Sequence, residues 1–262
     1  MSSQYLFIDG GYLRSKFEKA VNSFFDQSES KPDYSMLDLR RVAGGGRKIF
    51  YYDCFDYEQR KSETASEFNA RITVQDRAVH RFRRSCQLRL GTLKGKGNRR
   101  RQKQVDVMLA VDMLTQGFRE NFDHAKLLAG DLDFKPVVES LVHAGHHVEL
   151  WCCKSGTSEE LIGVSDTCQE FDLRQLVEWV SPEFKKEFEF PSLSYSPPSG
   201  VITVNHISPI YSEEVNGHQM AIYEVGKGRF EGYFYNRENS HPLKASATNP
   251  GILKRMFAAF GS

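Results

Sequence analysis

The stretches YLFIDGGYL, residues 5–13, and KLLAGDLDF, residues 126–134, decide how this chain folds. Each is a short apolar run that leads directly into Asp and Gly, the pattern of a buried strand ending in a turn. In an open α/β sheet ligands bind beyond the carboxyl ends of the strands, so Asp9 and the pair Asp131 and Asp133 are expected on one rim. A third stretch, KQVDVMLAVDML at 103–114, adds Asp106. Carboxylates converging from separate segments make a divalent-cation site. Hard oxygen donors without accompanying Cys or His select Mg²⁺ or Mn²⁺ over Zn²⁺, and Mg²⁺ completes its shell with water and substrate phosphate. The acids therefore point to phosphate chemistry.

Outward from these stretches, strand and helix patterns alternate. Tyr5 to Ile8, Lys48 to Tyr52, Cys86 to Leu90, Ala125 to Ala129 and His147 to Cys152 read as strands. Between them, Tyr12 to Phe25, Glu63 to Arg84, Val105 to Arg119 and Lys135 to Ala144 read as helices, with a last helical segment from Leu173 to Val180. This rhythm predicts an α/β fold, a parallel sheet flanked by helices. Gly91 to Gln104 carries the Gly and basic content of an exposed flexible loop.

With 262 residues, 40% hydrophobic and 26% charged, the chain has the composition of an ordinary globular protein with room for one sizeable core and a small second domain. Composition shifts at Pro182, and PSLSYSPPSG at 191–200 reads as a Pro/Ser linker. The expected division is 1–181, a linker at 182–200, and a small β-rich C-terminal domain at 201–262. In that last part VITVNHI, QMAIYEV and FEGYFYN read as strands and Ile252 to Phe260 as a helix. It is read as a module for stability or self-association as a homo-oligomer, or as a nucleic-acid-binding module. No apolar run reaches the length of a membrane span, and the N-terminus enters a strand at once, so a cytoplasmic protein without membrane contact is expected. The five cysteines lack CxxC spacing and read as buried apolar residues in a reducing compartment. His143, His146 and His147 straddle a helix end at Gly145, which denies them rigid zinc-ligand spacing.

The net charge of +1 hides an asymmetry: from Arg77 to Lys103 there are eleven Lys and Arg residues and no Asp or Glu. Arg77, Arg81 and Arg84 stand at helical spacing and can simply solvate a helix face. Lys94, Lys96, Arg99, Arg100, Arg101 and Lys103 immediately precede the helix bearing Asp106, where they would lead a nucleic-acid phosphate backbone toward the acids.

Four motifs in order, FIDGGYLR at 7–14, KxVDVxLAVDM at 103–113, LxxGDxDF at 127–134, and SEEL with DTCQEFDL across 158–173, resemble an NYN domain of the LabA-like type. That is a branch of the PIN-like nuclease superfamily, and the resemblance runs from Gln4 to about Asp172. It implies a PIN-like sheet and a metal-dependent ribonuclease, an endonuclease by preference, with Asp9, Asp106, Asp131 and Asp133 as the catalytic metal-binding acids and RNA as the partner. Tyr12 stands where many relatives carry Asn. Tyr12, Asp112 and Ser158 are expected around the ligating acids, although Asp112 lies about 240° around the helix from Asp106 at roughly 100° per residue and does not share its face. Asp131 and Asp133 can also cap the helix that begins near Lys135, and Asp106 suits a helix N-terminus whether or not a metal is near. The alternative is a non-catalytic RNA-binding or regulatory protein that retains the fold. Phosphate-binding P-loop and GxSxG nucleophile patterns are absent from the sequence.

Overall fold

The computed structural model describes residues 3–25, 31–45, 48–94, 101–153, 156–188, 190, 192–195, 208–215, 218–235 and 243–260. The chain divides into two compact units, residues 1–18 with 33–179, and residues 19–32 with 180–262.

In the first unit, strands β1 (Gln4–Asp9), β2 (Lys48–Asp53), β3 (Gln87–Leu90), β6 (His124–Leu128), β7 (His147–Cys152) and β8 (Thr167–Glu170) form one sheet in the order β3-β2-β1-β6-β7-β8. Every pairing is parallel. A hairpin of β4 (Thr92–Lys94) and β5 (Arg101–Lys103) leaves this sheet after β3. The helices are α1 (Gly10–Phe24), α2 (Leu39–Ala43), α3 (Ala65–Phe82), α4 (Val105–Phe118), α5 (Lys135–His143), α6 (Glu159–Val164) and α7 (Leu173–Glu178). Strand β1 explains why the sheet needs helices on both faces: Leu6, Phe7 and Ile8 are each fully buried although neighbouring side chains point to opposite faces. On one face Phe7 stacks on Phe50 with ring centroids 5.0 Å apart, within a core completed by Leu109, Met113 and Leu141 of α4 and α5. Burying such side chains stabilises by about 1.5–3 kcal/mol each.

The Gly91 to Gln104 stretch is not a plain loop, because Thr92–Lys94 and Arg101–Lys103 pair antiparallel. The alternation of Thr92, Leu93 and Lys94 before a Gly-rich turn composition carried that signal. Cys152 is buried as expected, whereas Cys168 is exposed because β8 is an edge strand whose side chains all face solvent.

In the second unit, α8 (Pro182–Glu187) and strand β9 (Ser192–Tyr195) occupy much of the stretch read as linker, so those residues are helix and sheet rather than bare connector. Strands β10 (Tyr211–Val215), β11 (His218–Gly226), β12 (Arg229–Tyr235) and β13 (Leu243–Ala247) join β9 in an antiparallel sheet ordered β10-β11-β12-β13-β9. Helix α9 (Pro250–Phe260) packs on it, with Phe257 stacked on Phe234 at 5.5 Å. The expected strand VITVNHI, 201–207, lies outside the described residues.

Candidate active site

Asp9 is the last residue of β1, and the chain turns into α1 within one peptide. Its Oδ1 accepts the backbone N–H of Tyr12 at 3.0 Å, so the carboxylate also closes the first turn of that helix. The turn is tight. A side chain on Gly10 would collide with the Tyr51 ring and the Tyr52 carbonyl oxygen at 2.5–2.6 Å, which is why only glycine fits there.

On the other side of β1, β6 ends at Leu128 and leads through Gly130 to Asp131, which caps a short 3-10 turn by accepting the N–H of Asp133 at 3.0 Å. Gly130 also has no room for a side chain, because Tyr12 Cε2 would lie 2.4 Å away and the Gly156 carbonyl oxygen 2.8 Å away. Asp106 occupies the first turn of α4. The residue that aims that helix, Gln104, stands at φ 76°, in the left-handed region that a non-glycine residue adopts at a cost of roughly 1–3 kcal/mol.

The electrostatics tie these acids together. Burial, reinforced by repulsion from Asp106 and Asp53, pushes the Asp9 carboxyl up to about 6 against the stabilising Tyr12 N–H. Asp106 is also held above the ordinary carboxylate range, first by burial and then by Asp131 and Asp133. Among the described residues none of Asp9, Asp106, Asp131 and Asp133 has a Lys or Arg ion-pair partner. Oxygen-only donors with uncompensated negative charge fit a hard divalent cation. Among the described residues no group of three or more His, Cys, Asp or Glu side chains is placed to hold a metal ion.

Other acids near the rim are paired. Asp53, fully buried at the end of β2, meets Arg14 at 3.3 Å and accepts from Tyr51 Oη and the Cys54 N–H. Even so, burial leaves its carboxyl raised. Sequence reasoning passed over Asp53 and Arg14, although KIFYYD ends in Asp after an apolar strand just as YLFID does. Asp112 accepts from Tyr52 Oη at 2.9 Å and pairs with Arg89 at 3.2 Å, joining α4 to β2 and β3. Tyr12 is a strut: its hydroxyl accepts the Cys153 N–H at 2.8 Å and shares a hydrogen bond with Thr157 at 2.9 Å, while burial lifts its proton affinity to about 12. Ser158 donates its N–H to the Gly130 carbonyl at 3.1 Å and begins α6, so it braces the loop that carries Asp131.

A family model for the NYN domain matches residues 5–172. The chain belongs to the NYN domain family. NYN domains are part of the PIN-like nuclease superfamily, so the first unit has a nuclease-type fold. The match covers both YLFIDGGYL and KLLAGDLDF and ends at Asp172, just before α7. A crystal structure of a protein of unknown function from Vibrio parahaemolyticus is similar at 15% identity and TM-score 0.43, covering 65% of this chain and 93% of that one. No curated protein matches the chain.

Around the NYN acids, the expected RNA contacts divide. Lys94, Arg101 and Lys103 stand in the hairpin that precedes α4, whereas Lys96, Arg99 and Arg100 lie outside the described residues. The histidines have structural partners: His146 meets the Phe122 carbonyl at 3.1 Å and His147 approaches Asp166 at 3.8 Å. Among the described residues no helix is long and apolar enough to cross a membrane.

Proposed function

We propose that this NYN protein is a ribonuclease that uses Mg²⁺ or Mn²⁺ to hydrolyse RNA phosphodiester bonds, as an endonuclease. The observation that carries the reading is the Asp9 carboxyl at the end of β1, which meets Asp106 as a repelling neighbour and has no Lys or Arg ion-pair partner among the described residues. Concentrating like charges has no benefit for folding, so the arrangement serves a positively charged ligand. PIN-like nucleases usually use divalent metal ions.

Asp9, Asp106, Asp131 and Asp133 are the residues that would hold the ion, with water and RNA phosphate oxygens completing its shell. A bound divalent cation supplies charge neutralisation at the scissile phosphate and makes water a stronger acid. The protein supplies position. Asp9 and Asp131 are each fixed by a backbone N–H, from Tyr12 and Asp133, and Asp106 is aimed by the Gln104 turn. The basic residues of 94–103 attract the RNA backbone and deliver it to α4 without reading its sequence. No side-chain nucleophile is required.

The second reading, a non-catalytic RNA-binding protein, draws on Tyr12: its hydroxyl is committed to Cys153 and Thr157, so it is engaged in bracing. One experiment separates the two. Purified full-length protein with end-labelled single-stranded and structured RNAs should produce Mn²⁺-dependent internal cuts that EDTA stops. RNA binding without any cleavage under either condition would establish the second reading instead.

A further inference from the structure

A cleft of the first unit lies beside the carboxyl end of β2, and the proposed reaction leaves it unused. It encloses about 700 Å³, ample for a nucleoside and within the range of small-molecule sites. We propose that it is a nucleobase pocket, in which one unstacked base bearing an exocyclic amino group inserts beside Arg14 and donates to Gln75. The proposal takes from the ribonuclease reading only the identity of the polymer as RNA.

Gln75 gives the chemistry. It lines the cleft from α3, is 4% exposed, and its Oε1 has no hydrogen-bond partner among the described residues. A buried acceptor left unsatisfied is costly to the fold, and native structures seldom keep one without reason. The missing partner is a donor, which the amino group of adenine or cytosine provides and uracil lacks at the equivalent position.

Arg14 gives the platform. Its guanidinium is fixed by Asp53 at 3.3 Å and sits over the rings of Tyr34 and Phe55 at 5.4 and 5.9 Å. Unstacked RNA bases are recognised by stacking on arginine planes and aromatic rings combined with hydrogen bonds to their edges. Val74 and Leu93 add apolar wall.

The charge balance argues for a base rather than a phosphate. Each arginine that lines the cleft already has an acid: Arg14 has Asp53, Arg60 has Asp56 at 3.5 Å, and Arg71 has Glu63 at 2.7 Å. A phosphate entering here would meet nearly neutral surroundings, with Glu18 and Asp33 also in the wall.

The location connects the cleft to the chemistry. Cys54, in its wall, directly follows Asp53, whose charge is close enough to Asp9 to raise that carboxyl. Leu93, also in the wall, belongs to β4, the strand that leads into the basic stretch of 94–103. A strand drawn to those basic residues and directed toward Asp9 would bring a base to the mouth of the cleft.

The test measures binding by the full chain in EDTA, where metal-dependent cleavage is silent, using fluorescently labelled octamers of adenosine, cytidine and uridine. The adenosine and cytidine octamers should each bind about tenfold tighter than the uridine octamer, the scale of one buried hydrogen bond gained. Gln75→Met, which keeps length and loses the acceptor, should reduce that preference to within about twofold. Val74→Trp, which fills the cleft from its half-buried wall without touching Gln75, should do the same and covers the case in which Gln75→Met fails to fold. Equal binding of the three octamers by the wild-type protein, or a preference that survives either folded variant, overturns the pocket. Base-selective binding that depends on Gln75 in a protein that cuts no RNA upholds the pocket and removes the ribonuclease reading. Mn²⁺-dependent cleavage without base selectivity removes the pocket and leaves that reading intact.

Discussion

Two aspartates end neighbouring parallel strands, Asp9 on β1 and Asp53 on β2, and the protein treats them in opposite ways. Asp53 is fully buried and receives Arg14, the Tyr51 hydroxyl and the Cys54 N–H. Asp9 receives only backbone N–H groups, from Tyr12 and more weakly from Gly11, and faces repulsion from Asp106 and from Asp53 itself. The same position at the end of a strand thus yields a charge-paired acid where a guanidinium is supplied and, among the described residues, an acid with uncompensated charge where none is. Asp112 repeats the first treatment, through Tyr52 and Arg89. Asp106 repeats the second, with Asp131 and Asp133 as its repelling neighbours.

The strongest way to break the comparison is to take the partner from Asp53. Arg14→Met leaves a buried carboxylate without its counter-charge, which typically costs roughly 3–5 kcal/mol. Urea denaturation should show that loss, and Arg14→Met/Asp53→Asn should recover a substantial part of it. A variant as stable as wild type would mean that Asp53 does not depend on Arg14.

The reverse manipulation applies to Asp9. Folding raises its carboxyl from 3.8 to about 6, so within that window the folded chain binds more protons than the unfolded one. Stability therefore falls as pH rises through the window and stays lower above it. In EDTA, Asp9→Asn removes the disfavoured charge while its side-chain oxygen still accepts the Tyr12 N–H. The variant should be more stable than wild type by on the order of 2 kcal/mol near neutral pH, with the gap closing below about pH 4. Thermal melts across that range decide it. A variant less stable than wild type near neutral pH would show that Asp9 is structural like Asp53.

A smaller effect is expected at Asp112. Tyr52→Phe deletes one hydrogen bond from a carboxylate that is partly open to solvent, for a loss of about 1 kcal/mol. Mn²⁺ binding should be unchanged, since this acid is spoken for. Weakened Mn²⁺ binding in Tyr52→Phe would place Asp112 with the ligand-seeking acids.

Much of this was legible because burial writes itself into periodicity. A strand such as YLFID, buried on both faces, appears as an apolar run, and the Asp at or just beyond the end of such a run, Asp9 ending β1 and Asp131 after β6, marks the rim. Edge strands leave weaker traces. TCQE in β8 and YSEEV in β10 bury little and read as polar segments. The hairpin of 92–103 was obscured by its basic and glycine content, which outweighs the short alternation of Thr92 to Lys94. Asp53 was legible in principle. Its ion pair with Arg14 was not, because a contact between residues 14 and 53 depends on how α1 crosses the sheet, which composition and spacing do not encode.

The most direct measurement is a Mn²⁺ titration followed by electron paramagnetic resonance on three full-length proteins: wild type, Asp112→Asn and Asp9→Asn/Asp131→Asn. Removing ligating carboxylates sharply lowers metal affinity, while removing an acid already paired with Arg89 leaves it unchanged. Saturable binding by wild type and Asp112→Asn, lost by at least about tenfold in the double variant, is the expected result. Equal Mn²⁺ binding by all three proteins, or by none, would contradict the assignment of Asp9 and Asp131 to a cation site.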